Sequence, residues 1–163
     1  MHCKVKVLIA LLLMVSLLTG CSSDALQTVT CKELTVSLPS SYIDLSQETY
    51  TVGLEFLYGD EITCIQGTRE ERENLQKYFP DIDAVQYAQL CMQTHSLPGE
   101  LEILDTIPCF TYTAESGHVS ITYLCGVFET ETHFWLVQAY CESEVFEENK
   151  ADMWNIIASV TIA

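Results

Sequence analysis

Positive charge is scarce in this chain: of 163 residues only seven are Lys or Arg, against 23 Asp or Glu, for a formal net charge of −16 at pH 7. A nucleic-acid binder needs a basic stripe that releases counterions from phosphate, and attraction to anionic lipid needs a polybasic segment. Neither occurs, so nucleic acid is excluded as a partner and so is a membrane held by charge. Glycine-rich signatures are missing too. There is no Gly-x-x-x-x-Gly-Lys and no Gly-x-Gly-x-x-Gly to cradle phosphate, and no Gly-x-Ser-x-Gly to raise a serine nucleophile on a strand-to-helix turn. With four prolines and seven glycines in all, no Pro/Gly-rich linker divides the chain, and no internal repeat is visible.

Metal ligands are not grouped. No two cysteines stand at Cys-x-x-Cys spacing, and His95, His118 and His133 are scattered, so no metal and no cofactor are expected. Asp81-Ile82-Asp83 begins like a calcium loop, but the Gly at its sixth position and the Glu at its twelfth do not follow, which leaves helix capping as the use of these aspartates. Cys91 and His95 fall one helical turn apart and are the one thiol–imidazole pair that would serve a cysteine nucleophile. Beside Ala84 and Ala88, the same spacing reads as core and rim of a helix. Glu70-Glu71 and Glu147-Glu148 read as solvated helix faces, and among so many acids no pair stands out for acid–base work. No catalytic residue is assigned.

What is present begins at the N-terminus. Lys4 and Lys6 precede an uncharged apolar run from Val7 to Leu18. That run is shorter than the roughly 20 residues of a spanning helix and fits the roughly 7–15 of an export signal. Met1 to Gly20 is therefore read as a signal peptide. Leu18-Thr19-Gly20-Cys21, followed by polar Ser22-Ser23-Asp24, resembles the lipobox of bacterial lipoproteins. That resemblance implies a diacylglycerol thioether on Cys21, and two acyl chains anchor stably where one binds only marginally. It places the protein on the extracytoplasmic face of the cell membrane, with the lipid as its only hold on the bilayer.

The remainder suits one domain with its own core. All 23 acidic residues lie in it. Residues 21–29 read as lipidated N-terminus and tether; the eight residues from Ser22 to Val29, taken as flexible coil, span on the order of 15 Å. Residues 30–163 read as the domain. Cys31, Cys64, Cys91, Cys109, Cys125 and Cys141 leave two possibilities open, disulfides in an oxidising compartment or free thiols used as small hydrophobes within apolar runs.

Alternation of Leu34, Val36 and Leu38 with polar neighbours predicts a strand ended by Pro39. Tyr50–Tyr58 and Ile62–Thr68 predict a hairpin about Gly59-Asp60. Arg69–Tyr78 predicts a helix stopped before Pro80, and Asp81 or Asp83 caps a second, whose face is Ala84, Tyr87, Ala88, Cys91 and His95. Strands are predicted over Leu101–Leu104, Cys109–Thr113, Val119–Phe128 and Phe134–Cys141, the last two apolar on both parities and so covered on both faces. The turn after Ala114 is predicted as a three-residue loop, Glu115-Ser116-Gly117, which sets Cys109 and Cys125 diagonally on one sheet face as free thiols. A loop of Ser116-Gly117-His118 would instead set them directly opposite. A closing helix carries Phe146, Met153, Trp154, Ile157 and Val160 on one stripe and turns Glu147, Glu148, Asn149 and Asp152 outward. Trp154 and Ile157 are expected to be buried, with a cost of roughly 3–5 kcal/mol for Trp154→Ala.

Three strands, helix, four strands, helix is an α+β order with an antiparallel sheet of about six or seven strands and helices on both faces. Together with Leu38-Pro39-Ser40-Ser41-Tyr42, the central helix, Gly117, Gly126 and the closing Trp154–Val160, it resembles the PsbP-like sandwich. That family includes envelope lipoproteins, photosystem subunits and a nuclear factor that binds the Ran GTPase, and Tyr42 stands where its members often carry Trp. The functional expectation is a non-enzymatic, lipid-anchored binding or assembly-accessory module whose partner is an envelope protein or a small ligand. The alternative is a thiol-dependent enzyme. Cys21→Ala is expected to move the protein from the membrane fraction to the soluble one, because nothing else in the chain binds a bilayer. Unchanged retention in cell fractionation refutes the lipobox reading.

Overall fold

Leu34, Val36 and Leu38 are fully buried while Thr35 and Ser37 are not, the period of a strand with one inner face. The computed structural model describes residues 25–47 and 53–163; the signal segment Met1–Gly20, Cys21 and Tyr50–Val52 lie outside them. Among the described residues the order is β1 (Leu26–Cys31), β2 (Leu34–Pro39), β3 (Ile43–Asp44), β4 (Leu54–Gly59), β5 (Thr63–Glu71), α1 (Arg72–Gln76), α2 (Ala84–Thr94), β6 (Glu102–Leu104), β7 (Ile107–Ser116), β8 (Val119–Glu129), β9 (His133–Glu142), a 3-10 turn at Ser143–Val145, α3 (Phe146–Ala158) and β10 (Thr161–Ile162).

A seven-stranded antiparallel sheet runs β3-β4-β5-β9-β8-β7-β6, and a second sheet runs β1-β2-β10. One face of the large sheet packs on α3 and the small sheet around Trp135, Ile65, Val137 and Ile157. The other packs on α2 around Phe134, Val127, Phe110 and Tyr87. This is the α+β arrangement expected, with helices on both faces. Gly126 shows why α3 can lie so close: a Cβ there would come within 2.6 Å of Ile157 Cγ2. Of the strands expected to be covered on both sides, Phe134, Trp135, Val137 and Val127 are buried, while Leu136 and Phe128 are only half-buried.

Helix α2 begins as expected at Asp83. Its carboxylate accepts from Gln86 N at 2.8 Å, and Gln86 Oε1 accepts from Asp83 N at 3.2 Å, closing a capping box. It ends with Ser96 in a left-handed conformation (φ 51°) and Leu97 N donating to Met92 O at 2.9 Å.

Five expectations need correction. The tether does not reach Val29: β1 starts at Leu26 and pairs along its length with β2. Gln27 Nε2 donates to Pro39 O (3.1 Å) and Tyr42 O (2.6 Å), so partners far along the chain, not a local apolar pattern, order this polar segment. The hairpin between β4 and β5 turns later than Gly59-Asp60. Gly59 pairs with Cys64, and Asp60 staples the turn by accepting from Ile62 N (2.9 Å) and Thr63 N (2.8 Å). The helix expected from Arg69 begins only at Arg72, because β5 continues to Glu71 beside β9. Kept extended, Arg69 donates from Nε to Glu55 at 2.9 Å and lies 5.9 Å from the Trp135 ring centroid.

The loop between β7 and β8 has two residues, not three. Ser116 pairs with Val119, and Gly117 at φ 66° takes the first central position, as in a type II′ turn. Cys109 therefore pairs with Gly126 and Phe110 with Cys125, so the two thiols lie on opposite faces. They are free, as are the other cysteines of the described residues. The fifth correction is Trp154, which is half-buried beside Leu104, Leu124 and Lys150 on the outer flank of α3, whereas Ile156 takes an inner place. Ile157→Ala is expected to cost about 2–5 kcal/mol, and Trp154→Ala less than Ile157→Ala. Urea denaturation of the two variants checks the order, and a larger loss for Trp154 contradicts the placement of α3.

Candidate functional site

The strongest sequence candidate, Cys91 with His95, sits at the end of α2. His95 is the exposed C-cap residue, and Cys91 lies one turn earlier, half-buried. Their link is through the backbone, His95 N donating to Cys91 O at 3.3 Å, and the thiol is not activated. Burial pushes the Cys91 thiol up; the Tyr87 hydroxyl works against this, and the negative charge of Glu70 adds to it. A nucleophilic cysteine needs the opposite, a cation or helix N-terminus that lowers its pKa. Burial likewise raises the pKa of Cys31, Cys64, Cys109, Cys125 and Cys141.

The other candidates are dispersed. His118 is exposed at the β7–β8 turn, and His133 Nδ1 lies 2.8 Å from Thr132 Oγ1 and 3.6 Å from Glu33. Among the described residues no three His, Cys, Asp or Glu side chains converge to hold a metal. Glu147 and Glu148 are exposed on α3. Glu70 instead accepts from the Tyr87 hydroxyl at 3.4 Å.

The register of the large sheet assembles what spacing could not show. Cys64 pairs with Tyr140, Tyr140 with Tyr123, and Tyr123 with Tyr112, one row across four strands. The next row is Gln66, Gln138, Cys125 and Phe110. Tyr112 and Tyr123 stack at 4.7 Å between centroids with planes 4° apart, and Tyr123 and Tyr140 follow at 5.0 Å and 33°. Gln66 Nε2 donates to Gln138 Oε1 at 2.8 Å, and Gln138 Nε2 donates to the Tyr112 hydroxyl at 3.0 Å. Burial raises Tyr112 to about 12, with the Cys125 thiol adding to the rise and the Gln138 bond opposing it. Tyr140 is raised as well. At physiological pH these phenols are neutral and keep their protons to donate.

Helix α2 covers only part of this face. Tyr87 stacks on Phe134 at 4.7 Å, over the end of the sheet away from the tyrosine row. Beside the helix runs a groove of about 680 Å³, walled by Leu90 and Cys91 above and by Phe110, Tyr112, Leu136 and Gln138 below. Tyr112, Tyr123 and Tyr140 remain half-exposed. Aromatic bodies with polar tips, fixed amides and an apolar groove form a recognition surface. Sequence reasoning passed over these residues. The available signal was Gln66 and Gln138 in mid-strand, polar residues on the parity that also carries Phe134 and so in need of hydrogen-bond partners on that face.

No protein-family model matches the chain, and no curated protein matches it in sequence. Solved structures match it in fold. Cyanobacterial PsbP (CyanoP) of Synechocystis superposes with a TM-score of 0.59 at 11% identity, over 88% of this chain and 96% of that one. The fold is PsbP-like. A protein of Bacteroides thetaiotaomicron superposes at a TM-score of 0.54 and 10% identity, over 80% of this chain and 45% of that one. LpqN of Mycobacterium tuberculosis, described as involved in cell envelope biogenesis, gives 0.46 at 12% identity over 87% of each chain. Among the described residues no helix is long and apolar enough to cross a membrane.

With the thiol pKa raised at all six cysteines of the described residues, none of the six is expected to react with iodoacetamide at pH 7 faster than a free cysteine, and fully buried Cys125 is expected to react last. Mass spectrometry of timed alkylation reads the rates. A single fast site at Cys91 contradicts the protonated thiol described above.

Proposed function

We propose that this protein is a lipid-anchored accessory protein of the cell envelope, which binds a protein partner through the open side of its large sheet. The half-exposed tyrosine row carries the reading. Three aromatic side chains aligned by strand register remain half-exposed, and the first of them, Tyr112, lines the groove beside α2. Tyrosine is enriched at the centres of protein interfaces because it offers a large rigid area with a hydrogen-bonding tip and few rotamers to freeze.

The formal charge of −16 directs the choice of partner toward a neutral or basic segment, since an acidic surface slows the approach of another acidic one. The lipobox ending at Cys21 supports the address. Burial raises the pKa of all six cysteines of the described residues, which weighs against the thiol-dependent enzyme reading. The PsbP-like likeness supports the fold alone.

A photo-crosslinking residue placed at Gln66, beside the row, tests this in cells. A discrete adduct is expected there and not at Glu131, on the exposed turn between β8 and β9. Tyr123→Ala should remove a contact of about 2 kcal/mol and lower the yield of that adduct by roughly 30-fold at limiting partner. Equal adducts at both positions, or a yield indifferent to Tyr123, refute the proposed surface.

A further inference from the structure

Three aliphatic side chains stand out in solvent at one end of the molecule: Leu26 is 71% exposed, Ile43 61% and Ile62 58%. They belong to different elements. Leu26 opens β1, Ile43 opens β3, and Ile62 sits at the tip of the β4–β5 turn. Their neighbours bring them together. Leu26, Pro39, Tyr42, Asp60 and Thr63 line one depression of about 360 Å³, and Ile43 pairs with Gly59 beside Asp60.

The same end receives the chain from Cys21. Ala25 O accepts from Ser40 N at 2.7 Å, so the polypeptide is held to the domain from Ala25 onward. Only Ser22, Ser23 and Asp24 lie between that point and Cys21. At about 3.5 Å per residue, even a fully extended chain separates the Cys21 and Ala25 Cα atoms by no more than roughly 14 Å. The opposite end, where β5 reaches Glu71, is roughly 26 Å from Thr63 along the strand.

From this short reach and the exposed aliphatic cluster we propose that Leu26, Ile43 and Ile62 seat this end of the domain in the bilayer interface, an orientation that rests on lipidation of Cys21. The contact is apolar, not electrostatic, and three side chains orient a domain that the acyl chains hold; they do not retain it on the bilayer once the lipid is lost. The charges nearby are acidic: Asp44, whose carboxylate accepts from Ser46 N at 2.8 Å, Asp60, which staples its own turn, and exposed Glu61. The seat therefore suits a zwitterionic surface. In this orientation β5 runs away from the membrane, and the tyrosine row faces sideways just above the lipid headgroups, while α1 and the β8–β9 turn point outward.

The test uses the full chain, purified with its acyl groups and reconstituted into vesicles of brominated phosphatidylcholine. Single Trp substitutions Ile43→Trp and Ile62→Trp report proximity to lipid, and Glu131→Trp reports the far end. Native Trp135 is fully buried and Trp154 half-buried; the chain without an added Trp gives their combined background, which is subtracted from all three. Severalfold stronger quenching at positions 43 and 62 than at 131 is expected, and equal quenching at all three overturns the orientation. Intact mass separates the two readings. A chain without acyl groups refutes the lipoprotein reading itself, whereas an acylated chain with unquenched Trp at 43 and 62 refutes only the seating.

Discussion

The unbroken antiparallel register of β5, β9, β8 and β7 is the constraint on which the rest of this molecule depends. Side chains alternate with a period of two, so one register assigns every residue of four strands to one face or the other. On one face it aligns Ile65, Ala139 and Leu124, and on the other Cys64, Tyr140, Tyr123 and Tyr112. A slip of one residue between any two strands would drive phenols into the core against α3. It would also bring Gly126 away from Ile157, where the absence of a side chain lets the helix approach.

That division is held at the sheet's far end by polar contacts reaching across elements. Trp135 Nε1 donates to Glu33 at 2.9 Å, which ties the β1–β2 turn to the central strand, and Arg69 bridges toward Glu33 and Glu55. Burial disfavours charge on both carboxylates. The donors around them, Trp135 for Glu33 and Lys32 with Arg69 for Glu55, more than offset it, so both carboxyls titrate below their ordinary range. On the opposite face Arg72 plays the matching part. It donates to Thr130 O at 2.9 Å and pairs with Glu129 at 2.6 Å, and Glu129 in turn accepts from Ala84 N at the start of α2 at 3.0 Å. The start of helix α2 is thereby fixed, with Tyr87 over Phe134.

The open face follows from unequal cover. Helix α3 and the small sheet together close one side, whereas among the described residues the other is covered by α2 with Leu75 of α1 and Ile82 beside it, and the sequence between α2 and β6 adds only the half-buried Leu97 and Leu101. Half-exposed tyrosines bonded to amides are a stable answer to such a surface, since aromatic bodies shield the sheet while hydroxyls meet water. The same arrangement is ready for a partner. If the domain sits on the bilayer through Leu26, Ile43 and Ile62, this face stands within reach of other anchored chains and is not buried beneath the domain.

Sequence alone determined what local chemistry dictates. The apolar run and Leu18-Thr19-Gly20-Cys21 point to an address through hydrophobicity and a short motif, and Asp83 with Gln86 marks the start of α2 through a hydrogen bond that needs no distant partner. Alternation exposed β2, and the order of strands and helices led to the PsbP-like fold. Tertiary structure decided everything that depends on pairing across the chain: β1 as a strand despite its polarity, the extension of β5 to Glu71, and the two-residue turn at Gly117. It decided the candidate site as well. Tyr112, Tyr123 and Tyr140 are far apart in sequence and carry no spacing signal, because a row across a sheet is defined by hydrogen-bond register between strands and not by distance along any one of them.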